Sequence, residues 1–216
     1  MGVLAAYKSK TDPVHIFWDL DATLLCSITP IPTNNNFNDK NVLSHFEQID
    51  DDFPFEPNAP NTRTYFRPGC YWALQMCSSF GVLHVYTAAQ ASYTDNILAE
   101  LDPDRTLFAK VIHRDMHPEI VKKGKDLNIG TDDLRRAILF DDRVSNFLPQ
   151  RYANGVAVMP FTADRVAKLC HGESWSAYLE EVREMTRLVG IAFLSHLSGD
   201  VRNVVGWVRS WKNPMQ

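Results

Sequence analysis

The sequence predicts an α/β fold, a parallel sheet with helices on both faces, and three observations lead there. Short apolar runs rich in β-branched and aromatic residues alternate with stretches of helical periodicity. Several of those runs end in carboxylate or hydroxyl residues, the usual chemistry of strand ends in such sheets. Across 216 residues, 45% are hydrophobic and 22% charged, the balance of a globular chain that can bury a core without disulfides or a structural metal.

Residues 14–20 (VHIFWDL) read as a buried strand. Residues 27–66 break the alternation: they are rich in Pro, Asn and Asp and carry the acidic run 50–52. A structureless segment of that length inside a domain is either a functional insertion, such as a cap or binding loop, or a surface loop. Its Phe37, Phe46, Phe53 and Phe55 suggest a small satellite core or a pocket for a proline or aromatic side chain. Residues 68–80 predict a helix opened by Pro68 and stopped by Gly81, and 82–87 (VLHVYT) a second strand. A helix over 91–101 ends before Pro103, a weaker strand follows at 110–113, and further strands are expected at 137–140 and 155–159. From Ser174 a 3–4 residue rhythm through Trp175, Tyr178, Leu179, Val182, Met185 and Leu188 predicts a helix. A break at Gly199-Asp200 separates it from a last helix holding Val204, Val205, Val208 and Trp211. That stripe is expected to be core packing, with a partner-binding face as the alternative. The whole is read as one domain, 1–216, with an insertion at 27–66 and C-terminal helices at 174–216.

A net charge of −4 argues against a nucleic-acid binder driven by phosphate attraction. The four cysteines form no CxxC pair and have no histidine cluster at zinc spacing, so they read as reduced core thiols. The apolar patch before Tyr7 is too short for a signal-peptide core, and Arg187, His196 and Asp200 interrupt the apolar C-terminal third. The expectation is a soluble intracellular chain, nuclear or cytoplasmic, with no membrane or nucleic-acid partner. His84 reads as a satisfied core histidine, while His15, His45, His171 and His196 have no partner legible in sequence. Trp18 reads as core, or as the wall of a pocket beside Asp19.

Asp19 and Asp21 stand two apart where the first strand stops, so they share one side of an extended segment and can converge on one ligand as the chain turns. Two adjacent carboxylates repel each other unless a cation joins them, and magnesium suits oxygen ligands best. Three other segments add complementary groups: the Thr87 hydroxyl, the Lys125 ammonium, and the carboxylates of Asp141 and Asp142. A nucleophilic carboxylate, a hydroxyl, a lysine and metal-binding carboxylates are what phosphoryl transfer through an aspartyl-phosphate needs.

Asp-x-Asp-x-Thr after an apolar strand, a Thr ending the second strand, a Lys and a terminal acidic pair resemble the haloacid dehalogenase superfamily, with its Rossmann-like parallel sheet. Arg67-Pro68-Gly69, Tyr86-Thr87-Ala88-Ala89-Gln90, Leu101-Asp102-Pro103, Lys125-Asp126-Leu127 and Leu134-Arg135-Arg136 narrow the resemblance. They look like the RNA polymerase II C-terminal-domain phosphatases and NLI-interacting-factor-like phosphatases. The resemblance runs from about Val14 to Pro160.

It implies a magnesium-dependent phosphatase acting on phosphoserine or phosphothreonine in a protein or peptide. Asp19 would be nucleophile and metal ligand. Asp21 would be general acid and then base, its backbone carbonyl on the metal. Thr87 and Lys125 would hold phosphoryl oxygens, Asp142 would complete the metal shell, and Asp141 would orient Lys125. Arg114 would contact substrate phosphate. Ala22 departs from the family, which commonly has Glu there, and the 27–66 insertion is longer and more acidic than usual. Two other readings stand beside this one: a catalytically weak or inactive interaction module of the same fold, and a small-molecule phosphatase.

Overall fold

A computed structural model of the chain describes residues 12–28, 48–49, 63–150, 152–170 and 174–212. In chain order the strands are β1 (Val14–Trp18), β2 (Leu25–Ile28), β3 (Gln48–Ile49), β4 (Arg63–Phe66), β5 (Gly81–Tyr86), β6 (Phe108–Ile112), β7 (Ala137–Asp141) and β8 (Gly155–Ala157). The helices are α1 (Cys70–Ser78), α2 (Ala91–Leu101), α3 (Ile120–Lys123), α4 (Ala163–Cys170), α5 (Ser174–Leu197) and α6 (Val201–Lys212). Short 3-10 turns at Leu127–Ile129, Leu134–Arg136 and Val144–Gln150 link the later elements.

Five strands form a parallel sheet in the order β6-β5-β1-β7-β8. The chain lays down β1, moves to β5 and β6 on one side, then returns to β7 and β8 on the other. This reversal at β1 opens a crevice at the carboxyl ends of the strands, where such sheets bind ligands.

At its inner strands the sheet is buried on both faces, which explains why β1 and β7 read as largely apolar runs. Period-2 alternation sorts their side chains. Ile16, Trp18, Ile138, Phe140, Leu83 and Val85 join the core under α1, α2, α5 and α6. Phe17, Tyr86, Ala137 and Leu139 face the other way, onto Ile120, Leu127 and Phe147. That second face is covered by α3 and 3-10 turns rather than long helices. Trp18 is fully buried, its ring 4.6 Å from that of Phe140, and is core rather than a pocket wall.

The two ends of the 27–66 segment, with Gln48–Ile49 from within it, make a small antiparallel sheet, β2-β4-β3, that the sequence reading left as loop. Cys26 and Tyr65 pack there with Phe161 and with Val166 and Leu169 of α4, a helix the sequence reading also missed. The four phenylalanines and the acidic run of this segment lie outside the described residues. Gly81 opens β5 instead of ending a helix: a Cβ there would sit 2.8 Å from Ile16 Cδ1, so its bareness lets the strand start against β1.

Met185 and Leu188 of α5 and Val205 of α6 are buried, and Tyr178, Val204 and Val208 pack against the core, so most of the stripe is core as expected; Trp175 and Leu179, 72% and 45% exposed, are the exceptions. Arg136 donates to the carbonyls of Ser195, His196 and Ser198 and so places a cation at the carboxyl end of α5. Cys26, Cys70 and Cys77 are buried, and burial pushes the Cys26 and Cys77 thiols up to about 11 and about 12. Among the described residues, no helix is long and apolar enough to cross a membrane.

Candidate active site

Register brings the strand ends together. Trp18 pairs with Val85 on one side and Phe140 on the other, so the residues just beyond them share one edge. Asp19 leaves β1 with its N–H on Phe140 O at 3.0 Å, and Thr87 leaves β5 with its N–H on Ile112 O at 2.9 Å. Asp141 is the last residue of β7 and is fully buried.

Lys125 fills the space between them. Its ammonium lies 2.5 Å from Asp19 Oδ1 and 2.6 Å from Asp141 Oδ2, and it is fully buried. Its backbone is held on both sides: its N–H donates to Asn146 O at 3.0 Å and its carbonyl accepts from Gln150 Nε2 at 2.9 Å. Asp141 is fixed in turn by Asn146 Nδ2, at 2.9 and 2.8 Å from its two oxygens, and by Arg143 N–H at 2.8 Å. The 3-10 segment after β7 therefore orients both partners of the ion pair.

Beyond Asp19 the chain turns at once. The N–H groups of Thr23, Leu24 and Leu25 all converge on Leu20 O. Ala22 takes up the turn with φ +59°, in the left-handed region that non-glycine residues rarely enter, and both its backbone groups are used: N–H to Leu25 O and carbonyl from Phe161 N–H. Thr23 is buried with its hydroxyl 3.5 Å from Asp19 Oδ2. Arg67, 1% exposed, ties the turn down. Its guanidinium donates to Thr23 O at 3.0 Å, Met159 O at 2.7 Å and Glu181 Oε2 at 2.7 Å.

Asp21, two residues past Asp19, points its Oδ1 at the Tyr93 hydroxyl, 2.5 Å away. The same hydroxyl lies 2.8 Å from Ser27 Oγ, and Ser27 Oγ lies 2.8 Å from Thr64 Oγ1. Ser27 and Thr64 face each other across β2 and β4, so the chain of hydroxyls ends in the small sheet.

The electrostatics favour a bound cation. Oxygens of Asp19, Asp141 and Asp142 lie within 4.8 Å of one another, and one lysine against three carboxylates leaves the cluster net negative. Burial pushes the Asp19 carboxyl upward; Lys125 pulls it back and Asp141 adds to the rise. Burial likewise raises Asp21, against the Tyr93 bond, and raises Asp142, with Asp141 contributing. Burial opposes the charge on Lys125 too, but Asp19 and Asp141 outweigh it and hold its pKa above the ordinary lysine value. All three carboxylates offer hard oxygen donors, the set that suits magnesium.

Thr87 is buried at the neighbouring strand end, and its hydroxyl accepts from Ala89 N–H at 3.1 Å. Arg114 is half-buried beyond β6, with its backbone N–H on Ala89 O at 2.9 Å; among the described residues its guanidinium bonds none of the other site groups. The residues that sequence reasoning missed are the ones that hold others: Tyr93, Ser27, Thr64, Asn146 and Glu181. For Tyr93 a signal existed, since the first turn of a helix that follows a strand end faces that edge. For Asn146 and Glu181 no spacing announces the contact.

The fold is similar to that of Fcp1, an essential RNA polymerase II CTD phosphatase, with a TM-score of 0.59 at 20% identity over 86% of this chain. Fission yeast RNA polymerase II CTD phosphatase Fcp1, in a variant bound to beryllium fluoride, matches with a TM-score of 0.51 at 20% identity over 82% of this chain. The chain spans 62% and 50% of those two structures. No curated protein matches the sequence. The sequence itself matches the family model of the NLI interacting factor-like phosphatases over residues 14–187, most of its length, and the chain belongs to that family, on the haloacid dehalogenase fold.

Proposed function

We propose that this protein is a magnesium-dependent protein phosphatase that hydrolyses phosphoserine or phosphothreonine through an aspartyl-phosphate on Asp19. The observation that carries the reading is the buried Lys125 ammonium between Asp19 Oδ1 (2.5 Å) and Asp141 Oδ2 (2.6 Å) at the strand-end crevice. A carboxylate kept beside a fixed cation can approach a phosphate dianion that it would otherwise repel.

Asp19 attacks phosphorus, and Asp21 protonates the departing seryl or threonyl oxygen. Asp21 then takes a proton from the water that hydrolyses the aspartyl-phosphate. Lys125 and the Thr87 hydroxyl hold phosphoryl oxygens, Asp141 keeps Lys125 in place, and Arg114 contacts substrate phosphate. Asp19, Asp142 and the Asp21 carbonyl would hold magnesium, which supplies charge neutralisation as the phosphoryl group transfers.

In this reading the chain is one phosphatase domain, 1–216, working in the nucleus or cytoplasm on phosphorylated protein, with residues 27–66 as an insertion that shapes the substrate groove. An RNA polymerase tail, the substrate of Fcp1, is one member of that substrate class. The test is hydrolysis of 4-nitrophenyl phosphate by wild type and Asp19→Asn, in magnesium and in EDTA. The expected result is magnesium-dependent turnover that falls at least about a thousandfold in Asp19→Asn, the scale of removing a covalent nucleophile. Turnover that survives either change contradicts the proposal.

A further inference from the structure

Tyr93 stands in the first turn of α2, 6% exposed, and reaches Asp21 across the carboxyl edge of the sheet. Its hydroxyl has one proton and, among the described residues, two close oxygen neighbours, Asp21 Oδ1 at 2.5 Å and Ser27 Oγ at 2.8 Å. A carboxylate oxygen only accepts, so Tyr93 donates to Asp21 and must accept from Ser27. Ser27 has then spent its own proton and accepts from Thr64 Oγ1 at 2.8 Å. The direction of all three bonds is fixed by counting protons: Thr64 to Ser27, Ser27 to Tyr93, Tyr93 to Asp21.

That chain distinguishes the two oxygens of Asp21. Oδ1 is taken by a 2.5 Å bond from a buried ring, a bond that Oδ2 does not make. The terminal torsion of an aspartate is otherwise broad, so without such a bond the two oxygens exchange places readily. We propose that Tyr93 is a positioning residue for Asp21: it pins Oδ1, so that Oδ2 is the oxygen that exchanges protons with the reacting groups. Through Ser27 and Thr64 it makes the placement of the acid depend on the β2-β4 sheet that flanks the 27–66 segment.

This rests on the phosphatase reading above. As the bond between phosphorus and the ester oxygen breaks and the bond from Asp19 to phosphorus forms, the proton on Asp21 Oδ2 passes to the ester oxygen. A neutral alcohol leaves and Asp21 becomes a carboxylate. That carboxylate takes a proton from water as the water oxygen attacks phosphorus, which frees Asp19 and releases inorganic phosphate.

A leaving group that departs unaided needs no proton, so loss of acid positioning shows as a split between substrates. The experiment compares kcat and KM of wild type, Tyr93→Phe, Ser27→Ala and Asp19→Asn on 4-nitrophenyl phosphate, whose phenolate leaves easily, and on benzyl phosphate, whose alkoxide does not. Tyr93→Phe is expected to lose at least about tenfold more kcat on benzyl phosphate than on 4-nitrophenyl phosphate, within the range that a positioned general acid contributes. KM is expected to stay within about twofold on both, since ground-state binding is untouched. Ser27→Ala shifts the ratio in the same sense by a smaller factor. Equal losses on both substrates, with wild-type turnover abolished in Asp19→Asn, overturn the Tyr93 assignment and leave the phosphatase reading standing. No wild-type turnover, or turnover that survives Asp19→Asn, overturns both. If circular dichroism shows Tyr93→Phe unfolded, Ser27→Ala decides, because it removes one hydroxyl and keeps the ring.

Discussion

Gly124 sits at φ +84°, and a Cβ there would lie 2.9 Å from Ser145 O and 3.0 Å from Asn146 O. Both obstacles are backbone, in the segment whose Asn146 carbonyl holds Lys125 and whose Asn146 amide holds Asp141. Lysine reaches the two carboxylates because the residue before it has no side chain. Gly124→Ala is expected to destabilise by about 1–3 kcal/mol, the usual scale of forcing a non-glycine residue into a strained backbone position. It should also lower kcat, because the Lys125 loop must back away. Urea denaturation paired with a 4-nitrophenyl phosphate assay checks both; an unchanged protein would mean that the loop tolerates the shift. The carboxylates, the threonine and the lysine were all legible in sequence because their chemical types are unusual together. Tyr93 was passed over despite its place in the first turn after a strand end, since a tyrosine in an amphipathic helix reads as core, and here its ring is core while its hydroxyl bonds Asp21.

Arg67 shows what fixes the elements to one another. It follows β4 directly and reaches the turn after β1, the exit from β8 and Glu181 of α5, all from a buried position. Removing one partner of a buried pair leaves the other charge stranded, about 3–5 kcal/mol in comparable cases. Arg165 also bonds Glu181, at 2.5 Å, and would keep that carboxylate partly compensated. Arg67→Leu should therefore fall near the lower end, about 3 kcal/mol by chemical denaturation; a loss below about 1 kcal/mol would show that Arg165 takes over the pair. The long strands and α2 could be read from the chain because both faces of β1 and β7 are buried and apolar. The small sheet could not, since β2 and β4 have four residues each and β3 two, too short for periodicity to register. The exposure of Trp175 and Leu179 escaped for a related reason: the rhythm of a stripe gives its face, not whether another element covers it.

At the scale of the molecule, the sheet carries a pH-sensitive pair far from the crevice. His15 Nδ1 and His84 Nε2 lie 2.9 Å apart on neighbouring strands, so His15 has a partner that sequence did not reveal, while His84 Nδ1 is buried with no partner among the described residues. Burial, with His15 and Lys110 adding, pushes the His84 imidazole from 6.5 down to about 4. A depressed imidazole favours the fold while neutral, so this contribution is complete above pH 6.5 and is lost as the pH falls toward 4. Wild type should lose thermal stability between pH 7 and pH 5 more steeply than His84→Leu; parallel profiles would contradict the assignment. The strand order, reversing at β1, sets Asp19 between the ends of β5 and β7, which makes it the centre of the crevice and of the proposed chemistry. The most direct test of that chemistry is to quench the enzyme with borohydride during turnover and map the protein by peptide mass spectrometry. An acyl phosphate on Asp19 would be reduced to homoserine at that position alone, and only when substrate and magnesium are both present. Turnover with no modification at Asp19, or modification at another carboxylate, would contradict the account.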